Sequence, residues 1–379
     1  MGWRIRIDHT TKVKYAGPVL TSFNEARMTP LTLPSQMTLE SRVTAGPGVP
    51  VWTYSDYWGT YVSVFDLPEP HDDLEIRATS TVETEPLRGI PAAGARPSWA
   101  QLREQASGGR LLEFLLPTAL TTVPSAVWET ALADISSPSL SPDDTAAAIS
   151  DRVRSHVTYM PGATGVRTNA QEAWDKGQGV CQDMAQLTVA LMRAAGLPAR
   201  YISGYLHPDT KAEPGQAAVG QSHAWVEYWA GTWTPLDPTS GAPVGERHVV
   251  VARGRDYADV PPLKGIYHGP AAGDMRVTVE VTRLALTGAG RHSVGCAAGS
   301  SLVASISSVT RTASGTMKPP AANATYPNFS ASKSLRLISV VAVRPSRSLF
   351  QTSVITPFTA RSRVCGRVMP WIVRSPSTR

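Results

Sequence analysis

Cys181, His223 and Asp237, separated by 42 and 14 positions, carry the three side chains that together can open an amide bond. A thiol becomes a strong nucleophile when a neighbouring base takes its proton. Imidazole titrates near neutral pH and suits that task, and a carboxylate behind it fixes the useful tautomer and steadies the positive form. Such a trio would attack an amide carbonyl, hold the acyl group as a thioester and return a proton to the leaving amine. The oxyanion would be met by the backbone N–H of Cys181 and one further donor, for which Gln178 and Trp174 are the candidates. Cys181 is the only cysteine before position 296. By itself it is better read as a small buried apolar residue.

The elements that must position these residues can be read from the sequence. After Gly179, "CQDMAQLTVALMRAAG" is apolar nearly all round, which predicts a central buried helix closed by Gly196 and followed by Pro198. Cys181 then occupies the first turn, where free backbone N–H groups and the helix dipole favour a thiolate. Asp183 reads as an ordinary acid of a helix start. Upstream, "SPDDTAAAISDRVRSHVTY" predicts a helix with Ser141 as N-cap, Pro142 at the first position and a stripe of Ile149, Val153 and Val157. In "TNAQEAW", Thr168 and Gln171 stand at capping-box spacing, and Gly177 ends that helix.

Downstream, "ARYISGYL" predicts a strand, "HPDTKAEPGQAAVGQS" a polar loop, and "HAWVEYWAGTWTPLDPTSG" a hairpin turning at Ala230 and Gly231. With the turn centred between those two residues, Asp237 falls one position from directly opposite His223, so a small bulge or loop adjustment is expected to bring them together. Trp225 and Tyr228 point to opposite faces and read as packing residues, with Trp225 also a candidate for shaping the cleft. His207, His248 and His268 show no partner at suitable spacing. No metal is expected, since Cys181 has no second cysteine nearby and His223 stands alone on its strand. No cofactor motif occurs, and "GPG" at 46–48 reads as a turn.

The segments "GVCQDMAQLTVALMRAAGLPARYISGYL", "SHAWVEYW" and "WTPLDPTSG", in that order, resemble the core of the bacterial transglutaminase-like superfamily. The later "RHVVVARGRDYADVPPLKGIYHG" resembles the segment that follows this core, and residues 3–85 resemble its β-rich N-terminal region. The resemblance implies an α+β, papain-like core in which a helix-borne cysteine packs on an antiparallel sheet carrying histidine and aspartate. It implies Cys181, His223 and Asp237 as the catalytic residues, and acyl-thioester chemistry on amide bonds ending in hydrolysis or in transfer to an amine.

Before the core, residues 3–85 alternate polar and apolar side chains in short runs broken by Gly, Pro and Asp, which predicts a small antiparallel sandwich. The expected organisation is a β-rich N-terminal domain over 1–88, a linker over 89–110, the catalytic core over 111–285 and a tail over 286–379.

The whole chain has a net charge of +6, but residues 281–379 contain no Asp or Glu and 13 Lys or Arg. Removing those from the totals of 36 basic and 30 acidic residues leaves 23 and 30, a net of −7 for residues 1–280. Three readings compete for the tail: a nucleic-acid arm, a disordered basic linker, or a frame-shifted, non-native extension. The basic residues are scattered singly, which argues against a phosphate-binding patch, so no nucleic-acid partner is expected. Apolar runs such as "LISVVAV" sit poorly in a disordered linker, and a strand of that kind left unpaired is an aggregation hazard. The non-native reading is therefore preferred, and Cys296 and Cys365 receive no role.

No run approaches the roughly 18 apolar residues of a membrane span. The start "MGWRIRIDHTTKVKY" alternates and lacks the pattern of a signal peptide, so a cytoplasmic protein without membrane contact is expected. Three functions remain open on sequence: a cysteine peptidase or amidase acting on a peptide or protein, a transglutaminase that crosslinks glutamine side chains to amines, and a binding module with a relict triad.

Overall fold

The computed structural model describes residues 2–87, 96–133, 135, 140–220, 222–270, 272–285 and 336–340. The N-terminal strands are β1 (Trp3–Val19), β2 (Thr21–Ala26), β3 (Gln36–Ala45), β4 (Trp52–Ser55), β5 (Tyr61–Leu67) and β6 (His71–Thr84). Helices follow: α1 (Trp99–Ala106), α2 (Arg110–Glu113), α3 (Ser125–Leu132) and α4 (Pro142–His156). The two-residue β7 (Thr158–Tyr159) and β8 (Gln178–Gly179) flank α5 (Ala170–Lys176), and α6 (Cys181–Ala194) begins directly after. The remaining strands are β9 (Ala199–Leu206), β10 (Ala217–Gly220), β11 (Ser222–Trp229), β12 (Trp233–Leu236), β13 (His248–Gly254), β14 (Leu263–His268), β15 (Ala272–Leu284) and β16 (Arg336–Val340).

Period-2 alternation shapes the N-terminal strands. In β1 the odd-numbered residues from Trp3 to Tyr15 are buried, with the even ones more exposed. Two five-stranded antiparallel sheets, ordered β10-β15-β1-β6-β3 and β16-β14-β2-β5-β4, pack through Val13, Ile76 and Ala78 on one side and Ala26, Phe65 and Leu263 on the other. The expected sandwich is present, but it is not built from the first 88 residues alone. β15 pairs with β1 along nearly its whole length, and β14 pairs with β2. β1 also joins two cores: Val13 and Tyr15 lie in the sandwich, whereas Ile5 and Ile7 pack with the residues around α6.

Several local expectations need correction. The segment expected as linker contains α1, whose N-cap Ser98 and Gln101 form a capping box, a local signal that outweighs the surrounding Gly and Pro. The capping box of α5 is Asn169 with Glu172, one residue later than expected. The polar loop after β9 contains β10, which finds a partner in β15. In the tail, Arg336–Val340 pairs with β14, so this part of "LISVVAV" is paired. Cys296, Cys365 and the rest of the tail lie outside the described residues.

The other half is the antiparallel sheet β12-β11-β9-β13 with α6 packed on it. Every residue of α6 from Gln182 to Arg193 is buried. At roughly 1.5–3 kcal/mol for each large apolar side chain buried, Leu187, Val189, Leu191 and Met192 anchor the helix firmly. Its far end is fixed by Arg193, whose guanidinium donates to the carbonyls of Ala199 at 2.9 Å, Leu116 at 3.0 Å and Arg255 at 2.6 Å. Ser141 caps α4 as expected, accepting from the Asp144 N–H, and Ile149, Val153 and Val157 are buried against the same core.

Candidate active site

Cys181 is the first residue of α6 and is partly exposed, while the helix behind it is sealed in the core. The backbone before it is clamped by two short strands. Thr158 N–H donates to the Gly177 carbonyl and Met160 N–H to that of Gly179, each at 2.8 Å. Asp183 folds back over the helix start, accepting from Val180 N–H at 2.8 Å and from the Thr164 hydroxyl at 2.6 Å. Position 179 has to be glycine for this turn, since a Cβ there would stand 2.8 Å from the Asp183 side chain. Burial raises the Asp183 pKa, opposed by its hydrogen bonds to Thr164 and Val180. Its contacts are those of the helix-start acid expected from sequence.

His223 is near the start of β11, and Asp237 follows β12 directly. The hairpin differs from the expected register. Trp229 faces Trp233 and Tyr228 faces Thr234, which centres the turn on Gly231 and makes paired positions sum to 462. Continuing that register sets Asp237 two positions from the residue opposite His223, on the same face of the hairpin. The side chains therefore meet diagonally without the expected bulge. His223 Nε2 donates to Asp237 Oδ2 at 2.9 Å.

Asp237 is 1% exposed and saturated with donors. The N–H groups of Thr239 and Ser240 reach Oδ1 at 2.9 and 3.4 Å, and the Ser240 hydroxyl reaches Oδ2 at 2.7 Å. Burial alone would raise its pKa, but the hydrogen bonds from His223 and Ser240, the His248 ring beside it and the charge of His223 drive it far below the usual carboxylate range. His223 shows the mirror image. Burial would lower its pKa, but hydrogen bonds to Asp237 and to the Cys181 thiol, together with the negative charge of both, push it up to about 10. Since Nε2 is committed to Asp237, Nδ1 is the ring nitrogen left for the thiol. The arrangement can hold a thiolate beside an imidazolium.

The structure brings all three expected residues together. It also gathers His248, Trp225 and Tyr159 around them. His248, at the start of β13, has Nε2 at 3.6 Å from Asp237 Oδ2 and packs edge-on to the Trp225 ring at 5.3 Å. No local signal marks it, because only the pairing of β13 with β9 carries it to the triad. Trp225 is fully buried and stacks beside His223 at 5.9 Å. Gly204, on the neighbouring strand, makes room for it: a Cβ would stand 2.7 Å from the indole and 2.0 Å from the Val249 carbonyl. Tyr159 in β7 lies within electrostatic reach of Cys181, and burial followed by that negative charge raises its pKa. Of the two expected oxyanion donors, Trp174 stacks on His156 at 3.7 Å, while Gln178 is exposed on β8. His207 is buried, with Nδ1 accepting from Asp209 N–H at 3.3 Å.

His223, Asp237 and His248 offer ligand atoms within 4.8 Å of one another, a spacing a metal ion could use. The tautomer of His248 opposes it. Gly245 N–H donates to His248 Nδ1 at 3.2 Å, which leaves the neutral ring's proton on Nε2. The nitrogen that faces the cluster therefore lacks a lone pair for a metal.

Known proteins share this architecture. Residues 5–83 match the bacterial transglutaminase-like N-terminal region, and residues 129–238 match the core of the transglutaminase-like superfamily. An uncharacterized protein of Mycobacterium leprae is 42% identical over 283 residues, covering 75% of this chain and all of that protein. A shorter stretch of 86 residues is 36% identical to a protein-glutamine gamma-glutamyltransferase of Pseudomonas aeruginosa, covering 22% of this chain and 13% of that protein. The solved structure of a candidate cysteine protease from Cytophaga hutchinsonii superposes with a TM-score of 0.57 at 22% identity, over 76% of this chain and 92% of that one. This likeness establishes the papain-like α+β fold with its β-rich N-terminal region. With both segments matched and a relative covered from end to end, the chain belongs to the transglutaminase-like superfamily.

Proposed function

We propose that the protein is a cysteine-dependent acyl-transfer enzyme that cleaves amide bonds of peptides or proteins, with water as the final acceptor. The observation that carries this reading is the placement of His223 between the Cys181 thiol and the Asp237 carboxylate. In the proposed sequence, the Cys181 thiol gives its proton to His223 Nδ1 and the thiolate attacks the amide carbonyl. The Cys181 backbone N–H, at the open start of α6, meets the resulting oxyanion. Gln178, three residues before the thiol, is the proposed second donor. Collapse of the intermediate expels the amine, which takes the proton from His223, and leaves a thioester on Cys181. His223 then deprotonates water, which attacks the thioester and restores the thiol. Asp237 keeps the ring in the productive tautomer and balances its charge. No step needs a cofactor.

The likeness to a protein-glutamine gamma-glutamyltransferase favours a second reading, in which an amine resolves the thioester and two proteins become crosslinked. Incubating the full chain with a glutamine-containing peptide and a labelled amine separates the two. Ammonia release without label in the product is expected, and label incorporation would replace hydrolysis with crosslinking. An alkylating agent that modified Cys181 no faster than free cysteine would point instead to a binding module with a relict triad. Unchanged activity in Cys181→Ala would overturn both enzymatic readings.

A further inference from the structure

The acyl-transfer sequence gives no task to His248, a buried titratable side chain beside Asp237. His248 is 4% exposed and held at both its backbone and its ring by Gly245. Its own N–H donates to the Gly245 carbonyl at 2.9 Å, and its Nδ1 accepts from Gly245 N–H at 3.2 Å. A ring nitrogen that accepts an N–H carries no proton, so the proton of the neutral ring is on Nε2. That atom is beyond the reach of solvent and has no partner within hydrogen-bond length, while Asp237 Oδ2 lies 3.6 Å away. A buried N–H without an acceptor is costly, and a carboxylate is the strongest acceptor available to it.

We infer that His248 is a positioning residue, a neutral N–H donor that braces Asp237 Oδ2 and keeps the carboxylate turned toward His223. The inference rests on the reading of Asp237 as the group that orients His223. The groups facing the His248 ring are Asp237, His223 and Arg247. Burial and the two positive neighbours hold the ring neutral against the pull of Asp237. Neutrality matters chemically. A cation here would compete with His223 for the same oxygen and repel its positive form, whereas a neutral donor steadies the carboxylate without adding charge. Ser240 supplies Oδ2 with another neutral donor at 2.7 Å, so His223 remains the cation of this cluster. The 3.6 Å contact fits a donor that closes on the carboxylate when substrate binds, since hydrogen bonds in empty sites are often long.

The test compares His248→Leu, which removes the donor, with His248→Gln, which keeps an amide N–H, alongside ¹⁵N NMR of the histidine rings in the full wild-type chain. The spectrum is expected to show His248 neutral and protonated on Nε2 at about pH 7. In His248→Leu, kcat is expected to fall roughly tenfold to a hundredfold, by analogy with other groups that orient a reacting side chain, with KM nearly unchanged. Alkylation of Cys181 should slow in parallel, and His248→Gln should recover most of both. A ring protonated on Nδ1, an imidazolium at that pH, or equal losses in the two variants would overturn the inference. If His248→Leu does not fold, the tautomer and the glutamine variant still decide. Full activity in His248→Leu with a strong loss in Asp237→Asn overturns this inference alone. Full activity in Asp237→Asn overturns the orienting role of Asp237, and this one with it.

Discussion

His9, in the long first strand, is a buried imidazole and His223, in β11, a largely buried one, and they are driven in opposite directions. His9 meets only hydroxyls, Tyr205 at 2.8 Å and Thr11 at 3.1 Å, and burial lowers its pKa to about 4. His223 meets the Asp237 carboxylate and the Cys181 thiol, and its pKa stands at about 10 in spite of burial. Burial sets the penalty for charge, but the partner decides whether the charge is kept. The same contrast separates the two halves of the molecule. The sandwich core is assembled from side chains such as Ile76, Phe65 and Leu74, whereas the catalytic sheet also buries Glu227 between Arg200 and Arg253. The N-terminal half matches a buried charge as well, Arg27 with Glu25 at 3.1 Å and Asp56 at 3.5 Å, but there the carboxylates are more exposed than Glu227.

The sharpest break of this contrast comes from removing Cys181, His223 or Asp237. Cys181→Ala and His223→Ala are each expected to lower kcat/KM on an amide substrate by at least about a thousandfold, and Asp237→Asn by about a hundredfold to ten-thousandfold. Their thermal transitions should remain cooperative. In the sandwich the pattern inverts. Ile76→Ala, at a fully buried position, is expected to cost about 2–5 kcal/mol in denaturant unfolding while leaving kcat unchanged below the unfolding transition. A large fall in kcat would show that the sandwich shapes the site as well as supporting it.

The two histidines also predict opposite pH slopes of stability. The His223 pKa is raised on folding, so its contribution is complete below about 6.5 and is lost as pH climbs toward 10. The His9 pKa is lowered, so its contribution is complete above about 6.5 and is lost as pH falls toward 4. Denaturant midpoints measured across pH should therefore lose alkaline sensitivity in His223→Gln and acid sensitivity in His9→Gln. The same flattening in both variants would break the contrast. The smallest effect is expected at the surface. Asp151→Ala, which removes the exposed pair with Arg154, should change stability by less than about 1 kcal/mol and activity not at all.

Much of the N-terminal half was legible because alternation is local: β1, β2 and β6 each announce a buried face within a few residues. The helix of Cys181 was legible for the same reason, through its apolar run and its glycine and proline stop. Features fixed by distant contacts were not. The tight turn at Gly231 shifted the hairpin by one position, which moved Asp237 onto the face of His223. β10 looked like loop because its partner, β15, lies some 60 residues away. His248 follows Asp237 by 11 positions in a segment without periodic signal, and only sheet order sets its ring against the carboxylate.

The sequence by itself determined which residues can do the chemistry, because nucleophile, base and carboxylate are properties of residue type, and where most of the helices and strands fall, because spacing and caps act within a few residues. Tertiary structure alone decided which histidine is charged, which carboxylate oxygen each donor reaches, and that the strands closing the core also complete the N-terminal sheets. Those outcomes depend on neighbours brought together across 14 to 270 or more positions, where desolvation and Coulomb attraction between groups, not local preference, set the balance.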